Sequence, residues 1–412
     1  MSSNKHLNRF IYILFCAFTG VVISAIIWSF LKLMGFGIEF LWSFLPDTLN
    51  FPFYTLIVCT VGGLIIGLYQ RKIGPYPEEL ETVLKKVKRD KFYPYNNVLF
   101  VCLAALLPLI FGGSIGPEAG LTGVIVGLCY WAGKHMKYAK NKIPELMQMG
   151  ISSTLGVIFG APLFGLVAPI EEGIDKDKDV VIPRWSKIIS NVISIATSLL
   201  TFWVLTALFG GGLGMPRIDA ADITNRERLW AIPIALIGIA LGYLYLCCNK
   251  FTKFSFGKIQ SKFGIVPSTT LGGLLLGISG TFLPMTMFSG EEAMGEMSTL
   301  YSEFAPWLLI ATGLIKILLT NVCLSSGWRG GHFFPVIFCG VSVGYAVSLL
   351  TGLNAAFCLG VVTAALLGVT MRKPIAVSLL LMLCFNVNVI VWVLIAALIG
   401  SIVPLFGLKT EK

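Results

Sequence analysis

Charged residues in this chain are bunched, and long apolar stretches separate the bunches. No charge lies between Arg9 and Lys32, Lys91 and Glu118, Glu145 and Glu171, or Arg228 and Lys250. A helix that crosses a bilayer takes about 20 apolar residues, and these gaps meet that length. The gap from Arg329 to Arg372 is about twice one span. A turn is therefore expected inside it, at Thr351-Gly352-Leu353-Asn354. Apolar segments near 10–34, 50–70, 92–115, 118–133, 146–170, 188–210, 229–249, 265–288, 304–327, 333–350, 354–370 and 374–406 predict an all-helical, polytopic membrane protein. Several are too short, or too interrupted by Gly and Pro, to be upright spans. Gly112–Pro117 and Gly330–Pro335 are the clearest interruptions. Irregular backbone at membrane depth is tolerated only where protein buries it or it lines a watery cavity.

Composition agrees. Of 412 residues, 56% are hydrophobic and 13% charged, about half the charged share of a soluble domain. The net charge of +10 sits in short clusters, Lys85 to Lys91, Lys134 to Lys142 and Lys250 to Lys262. By the positive-inside rule these are cytoplasmic loops, with a cytoplasmic N-terminus, and a bacterial inner membrane fits best. They are not a nucleic-acid surface. The ten cysteines fall mostly in apolar runs and read as small buried hydrophobes. No metal-ligand cluster and no nucleophile with a base are visible, and the three histidines are scattered. The sequence therefore points to no enzyme and no cofactor. Phe10–Leu31 reads as a retained span rather than a cleavable signal. No linker and no soluble regulatory domain stand out, so we expect one transmembrane domain over 1–412.

The two halves share a pattern. Gly112-Gly113-Ser114-Ile115-Gly116-Pro117 and Gly330-Gly331-His332-Phe333-Phe334-Pro335 both read Gly-Gly-x-x-x-Pro. Ala161-Pro162-Leu163 and Lys373-Pro374-Ile375 follow at corresponding distances. We place the repeat halves at 10–185 and 186–406, with the polar stretch Met215–Arg228 as a further divider near the middle of the chain. Paired Gly/Pro interruptions are a pointer to a central transport site. A helix that begins inside the membrane presents free N–H groups and a partial positive charge, which suits an anion. Backbone dipoles also hold an anion weakly enough for release. The plain alternative is that the glycines only permit close helix packing.

These same residues resemble the CLC family of chloride channels and proton/chloride exchangers over nearly the whole chain. Gly331-His332-Phe333-Phe334-Pro335, preceded by Ser325-Ser326-Gly327, matches the family's GxFxP segment. Gly113-Ser114-Ile115-Gly116-Pro117 stands where the family has GxEGP, and Phe159 to Gly165 followed by Glu171-Glu172 matches a further segment. The Gly-Pro-Glu variant is most similar to a bacterial branch of YfeO-like ion-transport proteins. The resemblance implies an inverted-repeat helical fold, a homodimer with one pore per subunit, and chloride or a similar anion as cargo. It implies anion binding at Gly113, Ser114, Ile115, Gly116, Gly331, His332, Phe333 and Phe334. Asn388 falls, by register from Pro374, at the place of the family's tyrosine on the last helix.

The departures bear on mechanism. The family's gating glutamate is here Ile115, which holds neither charge nor proton. The nearest acid is Glu118, just past Pro117. It is either a displaced gate or a carboxylate that merely favours a helix start. Glu172 matches the inner proton-delivery glutamate, or is a solvated helix-end residue. The family's GSGIP region aligns with Gly74-Pro75-Tyr76-Pro77-Glu78, which has no serine. Ile115 and the missing hydroxyls favour anion flow that is not tightly coupled to protons. Glu118 and Glu172 carry the alternative, a proton-coupled antiporter. His332 is a candidate for pH sensitivity. A different secondary transporter and a membrane scaffold without transport remain as readings from other classes. Acids lining the breaks would favour the first, and absence of anion flux in liposomes the second.

Overall fold

The computed structural model describes residues 2–49, 51–89, 98–136, 142–171, 185–211, 218, 223–382, 384–385 and 387–405. The chain begins with α1 (Ser2–Glu39), a π-helical turn (Phe40–Phe44) and α2 (Leu45–Leu49). Then come α3 (Tyr54–Ile73), α4 (Leu80–Arg89), α5 (Val98–Ile110), α6 (Glu118–His135), α7 (Ile143–Ile158) and the short α8 (Pro162–Val167). The remainder is α9 (Trp185–Phe209), α10 (Asn225–Phe263), α11 (Ile265–Phe282), α12 (Glu291–Leu300), α13 (Pro306–Ser326), α14 (Phe333–Thr351), α15 (Ala355–Met371), α16 (Pro374–Leu381) and α17 (Val387–Ile402). Seven helices among the described residues are long and apolar enough to cross a membrane. The expected turn after Val347 is present. α14 closes on Gly352 at φ 66°, and the Asn354 side chain caps α15 by accepting from the Phe357 N–H at 3.1 Å. Two expected segments are each split. The 146–170 run breaks at Phe159–Ala161 into α7 and α8, and the 374–406 run breaks between α16 and α17.

α14 and α15 are apolar all round and almost wholly buried, so they form the centre. α1, α9 and α10 instead expose Phe18, Leu200, Trp203, Ile232 and Leu236, a surface for lipid or another subunit. α3 and α11 approach to backbone contact: a Cβ on Gly63 would strike the Thr269 carbonyl, and one on Gly273 the Cys59 carbonyl. Small residues at a four-residue spacing, Gly63/Gly67 and Gly273/Gly277, permit this. The order after the first break, α6, α7, a Gly/Pro interruption and α8, recurs after the second as α14, α15, a Pro start and α16. α8 and α16 then pack on each other.

One buried cation organises the segment between α11 and α12. Lys316, in the middle of α13, is fully buried, and its Nζ donates to the carbonyls of Thr286, Met287 and Phe288 at 3.1, 2.7 and 2.8 Å. Its amine lies 4.9 Å from the Phe338 ring centroid. Phe288 in turn donates its N–H to Gly112 O at 3.0 Å, so the first chain break is tied through this segment to Lys316. Lys316→Met would leave three buried carbonyls unpaired, at about 1 to 3 kcal/mol each. Thermal unfolding in detergent should show a midpoint lower by several degrees for Lys316→Met, and no change for the exposed control Lys262→Met.

Candidate functional site

Each Gly/Pro break folds as a short irregular stretch closed by its own backbone. In the first, Gly112 takes φ 82°, Gly113 donates to Pro108 O at 2.9 Å, and Ile115 donates to Gly113 O at 2.8 Å. Pro117, with its φ preset near helical values, then starts α6. In the second, Gly327 at φ 112° ends α13, and Trp328 anchors the strand of chain by donating Nε1–H to Thr269 O at 2.9 Å. His332 then begins α14. The two breaks meet: Gly116 and Gly331 exchange N–H···O bonds of 2.8 and 2.7 Å as one antiparallel bridge. The starts of α6 and α14 are thereby held face to face.

Glu118 lies between them. It is the first residue of α6 and only 1% exposed. Its Oε1 accepts from the Phe333 N–H at 2.9 Å, the first amide of α14. Oε2 is buried and has no hydrogen-bond partner. A Cβ on Gly116 would run into Oε2, and one on Gly331 into Oε1 and the carboxyl carbon. Both positions therefore need glycine to admit the carboxylate. A buried carboxylate in an apolar interior is costly without donors or positive potential, and the α14 N-terminus supplies both.

A third helix start joins them. Gly74 at φ 104° ends α3, and α4 begins at Leu80 with Glu79 at its cap, where Val83 donates to Glu79 O at 3.1 Å. A cavity of about 20 Å³ is lined by Glu79 and Leu80 of this start, Glu118 of α6, Leu324 of α13, and Gly330, Gly331, His332 and Phe333. That is room for one water. His332 stacks on Tyr245 of α10 at 5.8 Å and meets Phe333 edge-on at 4.7 Å. Phe334 stacks on Phe159, from the break between α7 and α8, at 4.8 Å, and Phe159 meets Phe164 edge-on at 5.2 Å. This aromatic cluster locks the α14 start to the α7–α8 break.

The structure brings Gly116, Glu118, Gly331, His332 and Phe333 together, and uses the other expected residues differently. In the first break the amides of Gly113, Ile115 and Gly116 already bond to backbone carbonyls, and the Gly331 amide bonds to Gly116. Their N–H groups are spent holding the two breaks, while the first α14 amide, that of Phe333, bonds to Glu118. Ser114 is fully buried, its Oγ 3.2 Å from Thr320 Oγ1, and Ile115 fills the space beside Gly330. Phe334 is core packing. Asn388 is not in the site. It is exposed in the first turn of α17, because the turn between α16 and α17 breaks the register counted from Pro374. Glu172 lies outside the described residues. Its neighbour Glu171 caps α16, accepting from the Ile375 and Ala376 amides at 3.1 and 2.6 Å. Glu79, Tyr245 and Lys316 were not expected. A lone lysine in an otherwise charge-free run was the available signal for Lys316.

Comparison with known proteins fits this geometry. The family model described as voltage gated chloride channel matches residues 62–404. "Putative ion-transport protein YfeO" of Escherichia coli O17:K52:H18 is 25% identical over 335 residues, covering 79% of this chain and 76% of the relative. The protein of the same name from Escherichia fergusonii has the same identity and coverage. Two solved structures share the fold, each with a TM-score of 0.78 and 18% identity. One is a CLC-type fluoride/proton antiporter, with 96% of this chain and 95% of that one covered. The other is a slow cyanobacterial Cl⁻/H⁺ antiporter, with 95% and 93% covered.

Gly331→Ala tests the packing of the site. The added methyl and the Glu118 carboxylate claim one space, so a structure of the variant should show Glu118 displaced from the Phe333 amide. Its anion flux should differ from wild type by about tenfold or more.

Proposed function

Because the chain belongs to the CLC family of voltage gated chloride channels, we propose that it carries chloride or a similar small anion across the membrane, with the Glu118 carboxylate as the gate. The carrying observation is the Glu118–Phe333 bond. A carboxylate held by the first amide of α14 occupies the kind of place a small anion needs, so carboxylate and anion compete for one set of donors. Protonation removes the charge that competes, and the anion takes the amides. That exchange ties anion movement to proton movement, so the reading is proton-coupled transport rather than free conduction. Ile115 alone argues for uncoupled flow, but a carboxylate one residue past Pro117 supplies the chemistry that Ile115 lacks. The neutral lining of the donors, all backbone, fits a halide-sized monovalent anion and rapid release.

For assembly we infer a homodimer with one pore per subunit. Leu163 on α8 and Ile375 on α16 are exposed on adjoining helices and give an apolar face for it. The basic clusters support a cytoplasmic N-terminus. A monomeric mass in mild detergent at every protein concentration would count against the dimer.

The test of function is flux in liposomes loaded with chloride, with external pH recorded. Wild type should move protons against their own gradient when chloride runs down its gradient. Glu118→Gln should abolish proton movement while chloride still flows. Chloride flow with no proton movement in wild type would mean that Glu118 is not a coupling gate.

A further inference from the structure

We propose that Glu79 is the acid that exchanges protons with Glu118 on the basic face of the protein, through the cavity the two residues share. This rests on the reading of Glu118 as a proton-carrying gate. Glu118 and Glu79 line one cavity of about 20 Å³, large enough for a single bridging water. Glu118 is 1% exposed with Oε2 unpartnered, so it has no direct route to bulk solvent and one oxygen free to take or give a proton. The Glu79 side chain is half exposed, and Lys253 of α10 lies 3.9 Å from it. Glu79 therefore lines the cavity and carries its carboxylate beside Lys253 at the aqueous edge, the two places that a relay must join.

Other charged and titratable groups among the described residues surround it. Arg329, between α13 and α14, lies within electrostatic reach of Glu79 and Glu78. Glu78 pairs with Lys86 on α4. His332 lines the same cavity but is stacked on Tyr245 and meets Phe333 edge-on. Lys253 and Arg329 put positive charge beside Glu79. Glu171, by contrast, spends both oxygens on the α16 start and is not among the residues that line this cavity.

The step balances without a co-reactant. Neutral Glu118 gives its proton to the cavity water as that water gives one of its own to the Glu79 carboxylate. Glu118 ends charged and returns to the Phe333 amide, Glu79 ends neutral, and the water is unchanged. Glu79 then releases the proton to solvent beside Lys253. The reverse sequence loads Glu118.

The experiment measures chloride and proton flux separately in liposomes for wild type, Glu79→Gln, Glu79→Asp, Lys253→Met and Glu172→Gln. Glu79→Gln should lower proton flux by about tenfold or more and leave chloride flux within about twofold. Glu79→Asp should restore most proton flux. Lys253→Met breaks the ion pair but keeps the acid, so its proton flux should stay near wild type. Proton flux unchanged in Glu79→Gln, or lost equally in Lys253→Met, would overturn the assignment. So would proton flux lost only in Glu172→Gln. Wild type that moves no protons at all would instead refute the Glu118 reading beneath it.

Discussion

The structure depends on one constraint: a carboxylate buried in an apolar interior must find hydrogen-bond donors or positive potential. Here backbone supplies it. The amide of Phe333, at the start of α14, holds the Glu118 carboxylate. A helix start gives such a group hydrogen bonds and a partial charge in one place. It also holds an anion loosely enough to let another replace it. Much of the surrounding architecture serves to put two such starts opposite each other.

That placement is built in layers. The Gly116–Gly331 bridge fixes the two breaks. Trp328, anchored on α11, and Phe334, stacked on Phe159, hold the second break from two sides. Lys316 reaches the first break indirectly, through Phe288 and its bond to Gly112. The glycines at 116 and 331 are empty so that the carboxylate can be present. Remove the side chain from that space and the two glycines lose their reason to be glycine.

The helical segments and both breaks were legible in the sequence, because charge-free runs and Gly/Pro interruptions are local signals. The turn at Gly352 was legible for the same reason. What the breaks do with their amides was not. Whether Gly116 N–H faces an anion or the carbonyl of Gly331 depends on a partner 215 residues away in the chain, and no local pattern encodes it. Glu118 was visible as the nearest acid, but its reach to Phe333 is likewise non-local. Asn388 failed because register was carried across the turn between α16 and α17, where helical counting no longer holds. Glu79 was hidden beside Glu78 and Lys86 in a stretch that reads as a solvated loop and amphipathic helix. Only the fold shows that its end of α4 opens on the same cavity as Glu118.

Competition between Glu118 and an anion for the α14 amides is the central claim, and bromide diffraction tests it most directly. Crystals grown in bromide would be measured at a pH where Glu118 is neutral and at one where it is charged. An anomalous bromide peak is expected on the Phe333 amide at the lower pH, with the Glu118 side chain withdrawn. At the higher pH the peak should be absent and the carboxylate back in place. Bromide bound elsewhere at both values, with Glu118 on the Phe333 amide throughout, would contradict it.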